Sequence, residues 1–361
     1  MHLLAVDGNS MAHRAWHAIR DGDDAVGAFV LGGVVTLVAG VWHHGPFDLV
    51  LVALDDEVNQ RKQSHPTYKA DRSTDPDLRT RLRELPGHLA DAGIATATVA
   101  GAEADDLLAA AAHQATSRGW RTSILSGDRD LLPLVDDRVR LLRPRATMSD
   151  LVVYEPSTVV AEYGVEPVAY RHLAALRGDP SDGLPGVPGI GAKTAARLLA
   201  EHGDLDGLYA NLCFLPPRDE RALRQGRAVA YDNLAVMTPL DVTVDLDAVG
   251  PLDVDRARQA LDALDQSRAG RRLAQHLDLA ERNAVLPPAW EPPREPPPPD
   301  VLEEWDDLEA ANPVATDPEA AEPEAADPDT DLHPDDAIPV GPAPVDLGRL
   351  VPQHGEQPQL F

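Results

Sequence analysis

The sequence predicts an α/β fold: a mostly parallel central sheet flanked by helices, then a helical region and a disordered tail. Three observations predict it. Apolar runs of strand length stop at acids: His2-Leu-Leu-Ala-Val at Asp7, Asp48-Leu-Val-Leu-Val-Ala-Leu at Asp55, and Thr122-Ser-Ile-Leu-Ser-Gly at Asp128. Strand-like runs near 2–7, 48–55, 96–99, 121–126 and 139–142 alternate with helical patterns near 25–42, 77–92, 103–118 and 157–163, the alternation that builds a parallel sheet. From Glu166 the strands cease, and after about Asn283 the chain becomes rich in Pro, Ala and acids.

Taken in order, the first strand leads to Ala25–Trp42, 18 residues without a formal charge. That length is the lower limit for a bilayer span. The segment carries four glycines and lies between two acid-tipped strands, so it is expected to be the buried crossover of a βαβ unit. Gly101-Ala-Glu-Ala-Asp-Asp opens the helix over 103–118, with Glu103 and Asp106 three apart on one face of its first turn. Acids suit a helix N-terminus, so an ordinary acidic cap is the plain alternative there. Ser126-Gly-Asp-Arg-Asp, carrying Asp128 and Asp130, reads locally as a turn after a strand. The tail enters through Glu-Pro-Pro-Arg-Glu-Pro-Pro-Pro-Pro and cannot bury enough apolar surface to offset its ordering entropy.

The formal charge of −28 is unevenly spread. From Glu291 onward 19 acids face only Arg294 and Arg349, whereas residues 1–290 carry 41 acids and 30 bases. An acidic pI therefore does not exclude a nucleic-acid substrate. The only lysines are Lys62, Lys69 and Lys193. A single cysteine, Cys213, excludes an intramolecular disulfide and a cysteine-based zinc site and suits a reducing cytoplasm. No cleavable signal pattern opens the chain, because Asp7 interrupts it.

Acids that end parallel strands gather at the carboxyl edge of a sheet, where open α/β sheets bind ligands. So many carboxylates cannot crowd together unless cations neutralise them, which points to a divalent-metal site. Oxygen-only ligands fit Mg²⁺ or Mn²⁺ rather than zinc. A second motif follows: Gly178-Asp-Pro-Ser-Asp-Gly-Leu-Pro-Gly-Val-Pro-Gly-Ile-Gly-Ala-Lys-Thr-Ala-Ala-Arg-Leu-Leu joins Asp179 and Asp182 to a glycine hairpin and then a helix. Gly186, Gly189 and Gly191 would let backbone approach a phosphate, and the N–H groups near Ala192 and Lys193 would point at it. This resembles the phosphate-gripping hairpin of helix–hairpin–helix DNA binders.

With these residues in hand the chain resembles the 5′-nuclease (flap endonuclease, 5′→3′ exonuclease) family, the kind found at the N-terminus of bacterial DNA polymerase I, in a stand-alone form. The resemblance runs from about His2 to Leu279. It rests on Val6-Asp-Gly, the Asp55 strand end, Tyr68-Lys-Ala-Asp-Arg, Gly101-Ala-Glu-Ala-Asp-Asp, Gly127-Asp-Arg-Asp-Leu and Gly178-Asp-Pro-Ser-Asp-Gly-Leu-Pro-Gly-Val-Pro-Gly-Ile-Gly. It implies a PIN-like catalytic domain over 1–165 with an arch near 57–86, a helix–hairpin–helix (H3TH) region over 166–283, and a tail over 284–361. By the resemblance Asp7, Asp55, Glu103 and Asp105 would hold one metal ion. Asp128, Asp130, Asp179 and Asp182 would hold a second, with Asp106 between them or just behind. Lys69 and Arg72 would steer the scissile phosphate from the arch, Arg61 and Lys62 would line it, and Arg14 would contact the phosphate beside Asp7. Lys193, Thr194 and the hairpin amides would hold duplex by its backbone, with a potassium ion at the hairpin carbonyls. In two places the chain departs from the family pattern: Gly183 follows Ser181-Asp182 where Asn is usual, and His13 precedes Arg14 where an aromatic is often found.

The function expected is hydrolysis of DNA phosphodiesters at 5′ ends or flap junctions with two metal ions, in replication and repair, by a monomer in the cytoplasm. Two rivals stand beside it: a ribonuclease of the same fold, and a structure-selective DNA binder without catalysis. The chain ends Gln357-Pro-Gln-Leu-Phe361, resembling the peptide by which bacterial replication proteins dock into a sliding clamp. Gln357 would make polar contacts while Leu360 and Phe361 fill an apolar pocket. Trp305 and Leu308 in Glu303-Glu-Trp-Asp-Asp-Leu are a weaker candidate for a second such peptide, and there the plain reading as ordinary tail is preferred.

Overall fold

A computed structural model of the chain describes residues 1–20, 29–70, 73–145, 151–264, 271 and 274–275. Arg72 and the whole of the tail, including Trp305, Leu308 and 357–361, lie outside the described residues. The elements run β1 (His2–Asp7), α1 (Gly8–Arg20), α2 (Phe29–Gly40), β2 (Leu49–Ala53), α3 (Gln60–Ser64), α4 (Pro76–Asp91), β3 (Ala95–Ala97), α5 (Ala104–Ser117), β4 (Arg121–Leu125), β5 (Val139–Pro144), β6 (Leu151–Tyr154), α6 (Pro156–Tyr163), α7 (Pro167–Arg177), α8 (Ala192–His202), α9 (Leu205–Ala210), α10 (Pro217–Met237) and α11 (Val254–Ala263).

The six strands form one sheet in the order β3-β2-β1-β4-β5-β6. β1 to β5 are parallel and β6 closes the edge antiparallel to β5. β1 lies in the middle, buried along its whole length. Its side chains alternate between two cores, as the period of a strand requires. Leu4 and Val6 pack with Met11, Val34, Val38, Leu85 and Leu261 from α1, α2, α4 and α11. Leu3 and Ala5 pack with Leu107, Leu108 and Ala111 of α5 and, through them, with the helical region. Leu3, Leu4 and Val6 are wholly buried, each worth roughly 1.5–3 kcal/mol over exposure.

The five expected strands are present, together with helices at 77–92, 103–118 and 157–163 within a few residues. The uncharged segment supplies α2, whose Val30, Leu31, Val34, Val35 and Val38 are buried against α1 and α4. Among the described residues no helix is long and apolar enough to cross a membrane. Before Glu166 three elements escape the sequence reading. α1 follows Asp7 directly, while α3 has five residues and β6 four, too few for periodicity to declare itself.

The strand order reverses between β1 and β4, because β2 and β3 lie to one side and β4 to β6 to the other. Register sets Val6 beside Leu125, so Asp7 and Ser126 emerge at one level over that crevice. Open α/β sheets place ligands at such a point.

Candidate metal centre and nucleic-acid interface

Asp7, 5 % exposed, accepts from the Ser10 N–H at 2.9 Å and the Ser126 hydroxyl at 2.6 Å. Burial, reinforced by Asp55 and Asp128, nevertheless pushes its pKa up to about 7. Asp55, just past β2, accepts from the Ala104 N–H at 2.7 Å and its own amide donates to Asn9 Oδ1 at 3.0 Å. Those two bonds tie the end of β2 to the starts of α5 and α1. Asp105 sits in the first turn of α5, and burial, then the charges of Asp128 and Asp7, raises it well above the usual carboxylate range.

After β4, Asp128 caps a short 3₁₀ turn by accepting from the Asp130 N–H at 2.9 Å. Asp130 is pushed up to about 8 by burial and then by Asp128, Asp179 and Asp182. Asp179 accepts from the Ser181 N–H at 2.9 Å and its hydroxyl at 2.6 Å, and Asp182 is 4 % exposed. The acids of five separate segments thus act on one another electrostatically.

Among the described residues no three of these acids converge on one point at ligand spacing. Their chemistry still suits hard cations. The set is all carboxylate, and Asp7, Asp105 and Asp130 are raised because their negative charge is unmet. A divalent cation meets that demand with oxygen ligands alone.

One basic group is already among them. Lys69 donates from Nζ to Glu103 Oε1 at 2.8 Å, and its side chain is 13 % exposed. Burial alone would lower its pKa, but the Tyr68 hydroxyl, Glu103, Asp182 and Asp105 hold it well above the ordinary lysine value. Its φ of 51° is left-handed, a conformation that costs a non-glycine residue of order 1–3 kcal/mol. The Lys69 N–H donates to the Asp182 carbonyl at 2.9 Å, which holds the strained residue in place. That approach depends on Gly183, since a Cβ there would stand 2.4 Å from the Thr67 carbonyl oxygen. The departure from Asn at 183 is thereby explained.

Arg61 differs from expectation, and Asp106 is its partner. Asp106 is wholly buried and its carboxylate accepts four bonds: from Arg61 at 2.8 and 2.6 Å, and from the Leu240 and Glu103 N–H groups at 2.8 Å each. Two bonds to each oxygen leave no position for a metal, and Arg61 with the two amides holds the group below the usual range against burial. Arg61, 8 % exposed, also donates to Glu103 Oε2 and to the carbonyls of Val236 and Thr238. Its guanidinium is spent inside the protein rather than along a DNA-facing arch. Arg14 is tied as well, donating to the carbonyls of Pro144, at 2.7 Å, and Arg145. Lys62 is exposed. The groups that sequence reasoning passed over are Tyr68, which donates to Glu103 Oε2 at 3.1 Å, and Ser10 and Ser126, which hold Asp7. Both Tyr68 and Ser126 stand inside the motifs quoted above, beside the charged residues that drew attention.

The hairpin lies between α7 and α8. Gly186 is there for packing, because a Cβ would stand 2.0 Å from the Arg177 carbonyl oxygen. Gly189 turns the chain at φ +87°. Gly191 caps α8 without a side-chain bond, in open space. The first N–H groups of α8, at Ala192, Lys193 and Thr194, are left for an outside acceptor, the condition for anion binding at a helix start.

A mostly parallel sheet with carboxylates at its switch point and an open-ended hairpin beyond it defines the class: a PIN-like nuclease core followed by a helical domain. Residues 2–164 match the family model for the 5′-3′ exonuclease N-terminal resolvase-like domain, and 165–256 that for its C-terminal SAM fold. The chain belongs to the 5′-3′ exonuclease family. DNA polymerase I of Mycobacterium bovis is 36 % identical over 274 residues, 73 % of this chain and 30 % of the polymerase. The thermostable DNA polymerase I of Thermus aquaticus is 34 % identical over 300 residues, 81 % of this chain and 35 % of that protein. The chain thus spans about a third of the length of these relatives. Among solved structures, the flap endonuclease of bacteriophage T5, in complex with DNA and metal ions, matches with a TM-score of 0.55 at 19 % identity, covering 78 % of this chain and all of that one. At that identity the likeness speaks for the fold.

Proposed function

We infer that this chain is a structure-specific 5′ nuclease that hydrolyses DNA phosphodiesters at 5′ ends or flap junctions, in replication and repair. The observation that carries the reading is the set of buried acids with unmet charge over the β1–β4 crevice, beside a helix start whose amides face outward. Asp7, Asp55, Glu103 and Asp105 would hold one Mg²⁺ or Mn²⁺ ion, and Asp128, Asp130, Asp179 and Asp182 a second. When bound, such ions supply Lewis acidity and neutralise charge for phosphodiester hydrolysis. The remaining work falls to the chain. Lys69, with Arg72 from the same segment, orients the scissile phosphate and stabilises its developing charge. Tyr68 and Arg61 keep Glu103 ionised and aimed. The α8 amides with Lys193 and Thr194 grip duplex backbone, giving structure rather than sequence specificity, and the hairpin carbonyls would hold a potassium ion that supplies further positive charge there.

The reading takes 1–165 as the catalytic domain, 166–283 as the DNA-binding region and 284–361 as a tether. It makes the protein a cytoplasmic monomer that reaches a sliding clamp through Gln357, Leu360 and Phe361. A 5′-end-labelled flap duplex tests it, incubated with Mg²⁺, with EDTA, and with Asp128→Ala in Mg²⁺. Metal-dependent release of the flap, abolished by the substitution, is expected. Binding without cutting in either Mg²⁺ or Mn²⁺ would instead make the chain a non-catalytic DNA binder.

A further inference from the structure

α10 carries a second basic surface beside the hairpin. Its Ala222 lies 3.8 Å from the position a Cβ would take on Gly189, and its Gly226 admits the Val187 side chain, where a Cβ would stand 2.4 Å away. This face of α10 therefore forms the wall of the hairpin. Arg218 and Arg221, three residues apart and about 4.5 Å along the helix axis, flank that wall at the hairpin tip. Both are exposed, and neither makes an ion pair among the described residues.

The charges that neighbour them on α10 have contacts of their own. Asp219 takes Arg197 of α8 at 2.8 Å, and Glu220 takes Arg224 at 2.8 Å. Arg227 lies over the rings of Tyr209 and Tyr231. The two acids nearest Arg218 and Arg221 are thus neutralised by partners of their own. Two arginines with no partner, in a chain of net charge −28, beside a helix start with open amides and the exposed Lys193, form a positive ledge.

We propose that Arg218 and Arg221 extend the duplex-binding surface, each taking one phosphate of the strand that leaves the α8 amides. The proposal rests on the DNA-binding reading above and deepens it. Its partner is the sugar–phosphate backbone of duplex DNA, with no base contact, so its signature is electrostatic. Each phosphate contact adds about 0.9 to the slope of log K against log salt. Two contacts add about 1.8, roughly a twelvefold difference in salt-induced weakening between 50 and 200 mM.

The test measures salt-dependent binding of a fluorescent 5′-flap duplex by the full chain, in an Asp128→Ala background so that the DNA survives. Arg218→Ala/Arg221→Ala is expected to lower the slope by about 2. Arg218→Lys/Arg221→Lys is expected to restore most of it. Arg118→Ala/Arg258→Ala changes the net charge equally, at sites paired with Asp247 and Asp255, and is expected to leave the slope unchanged. An unaltered slope in the first variant, or an equal fall in the last, overturns the α10 surface while leaving the nuclease reading intact. Failure of the parent protein to bind or cut flap DNA overturns both.

Discussion

The buried Arg61–Asp106 pair sets up the sharpest test of the structure. Replacing Arg61 by Met keeps most of the apolar stem and removes the guanidinium. Asp106, with no exposed surface, then retains only the Leu240 and Glu103 amides, and the carbonyls of Val236 and Thr238 lose their donors. Removing one partner of a buried ion pair costs about 3–5 kcal/mol, because the other charge is left unmatched. For a folded region of this size that corresponds to a fall in Tm of roughly 6–20 °C. The same carboxylate without its charge is a lesser burden, so Arg61→Met/Asp106→Asn should recover part of the loss, with a coupling energy of about 0.5–3 kcal/mol.

Urea unfolding followed by circular dichroism measures the stability change, and flap binding measured in parallel separates two roles for Arg61. A strut between α3, α5 and the end of α10 predicts lost stability at every step. A loss below about 1 kcal/mol, with DNA affinity reduced instead, would refute the strut and return Arg61 to the DNA surface.

Three further outcomes follow. Lys69→Met should leave the fold intact and lower single-turnover cleavage on the order of 10²–10³-fold, with flap binding much less affected; equal losses in binding and cleavage would argue against its role at the phosphate. His2 is 7 % exposed, and burial, then Arg140 and Arg121, pushes its pKa down to about 4. The unfolded chain therefore binds more protons between about pH 6.5 and 4. Stability from this residue is complete above pH 6.5 and lost as pH falls towards 4, by at most about 3 kcal/mol. Stability measured against pH should flatten in that window in His2→Gln, and an unchanged curve would contradict the assignment. Gly186→Ala forces a Cβ against backbone and should cost about 1–3 kcal/mol, whereas Gly191→Ala, in open space, should cost under about 1 kcal/mol; thermal melts of the two decide it.

How much of this was legible in the sequence depended on distance along the chain. Acid-tipped strands were legible because period, length and terminal residue all lie within a few positions, and from them follow the sheet and the crevice over β1 and β4. The start of α5 was legible as well, since Glu103 and Asp106 are three apart. Their roles were not. Asp106 owes its burial and its filled oxygens to Leu240 and Arg61, which are 134 and 45 residues away. Arg61 was expected to line the arch with Lys62; its acceptor at Val236 is 175 residues distant. α1 was hidden because its first residues, Gly8-Asn9-Ser10, look like a turn after a strand, and only packing of Met11, Ala12 and Trp16 against α2 reveals the helix. Gly183 stood out only as a departure from the family pattern, yet the Thr67 carbonyl makes it a requirement of close approach.

Glu103 brings these strands of reasoning together. Its oxygens accept from Lys69 at 2.8 Å, Arg61 at 3.0 Å and Tyr68 at 3.1 Å. Two cations keep this one acid ionised, while Asp7, Asp105 and Asp130, with no comparable partner, are raised well above the usual carboxylate range by burial and by neighbouring acids. Charge in the crevice is therefore divided between acids matched from within and acids that need a cation from outside. Arg61 is fastened by carbonyls at the end of α10 and cannot leave without unfolding its surroundings. Lys69 is held by its Glu103 bond, the face of Tyr68 and one backbone bond to Asp182, with no carbonyl among the described residues fastening its ammonium. Of the two cations on Glu103, only Lys69 can turn to an incoming phosphate at modest cost, and its release opens Oε1 at the edge of the acid cluster.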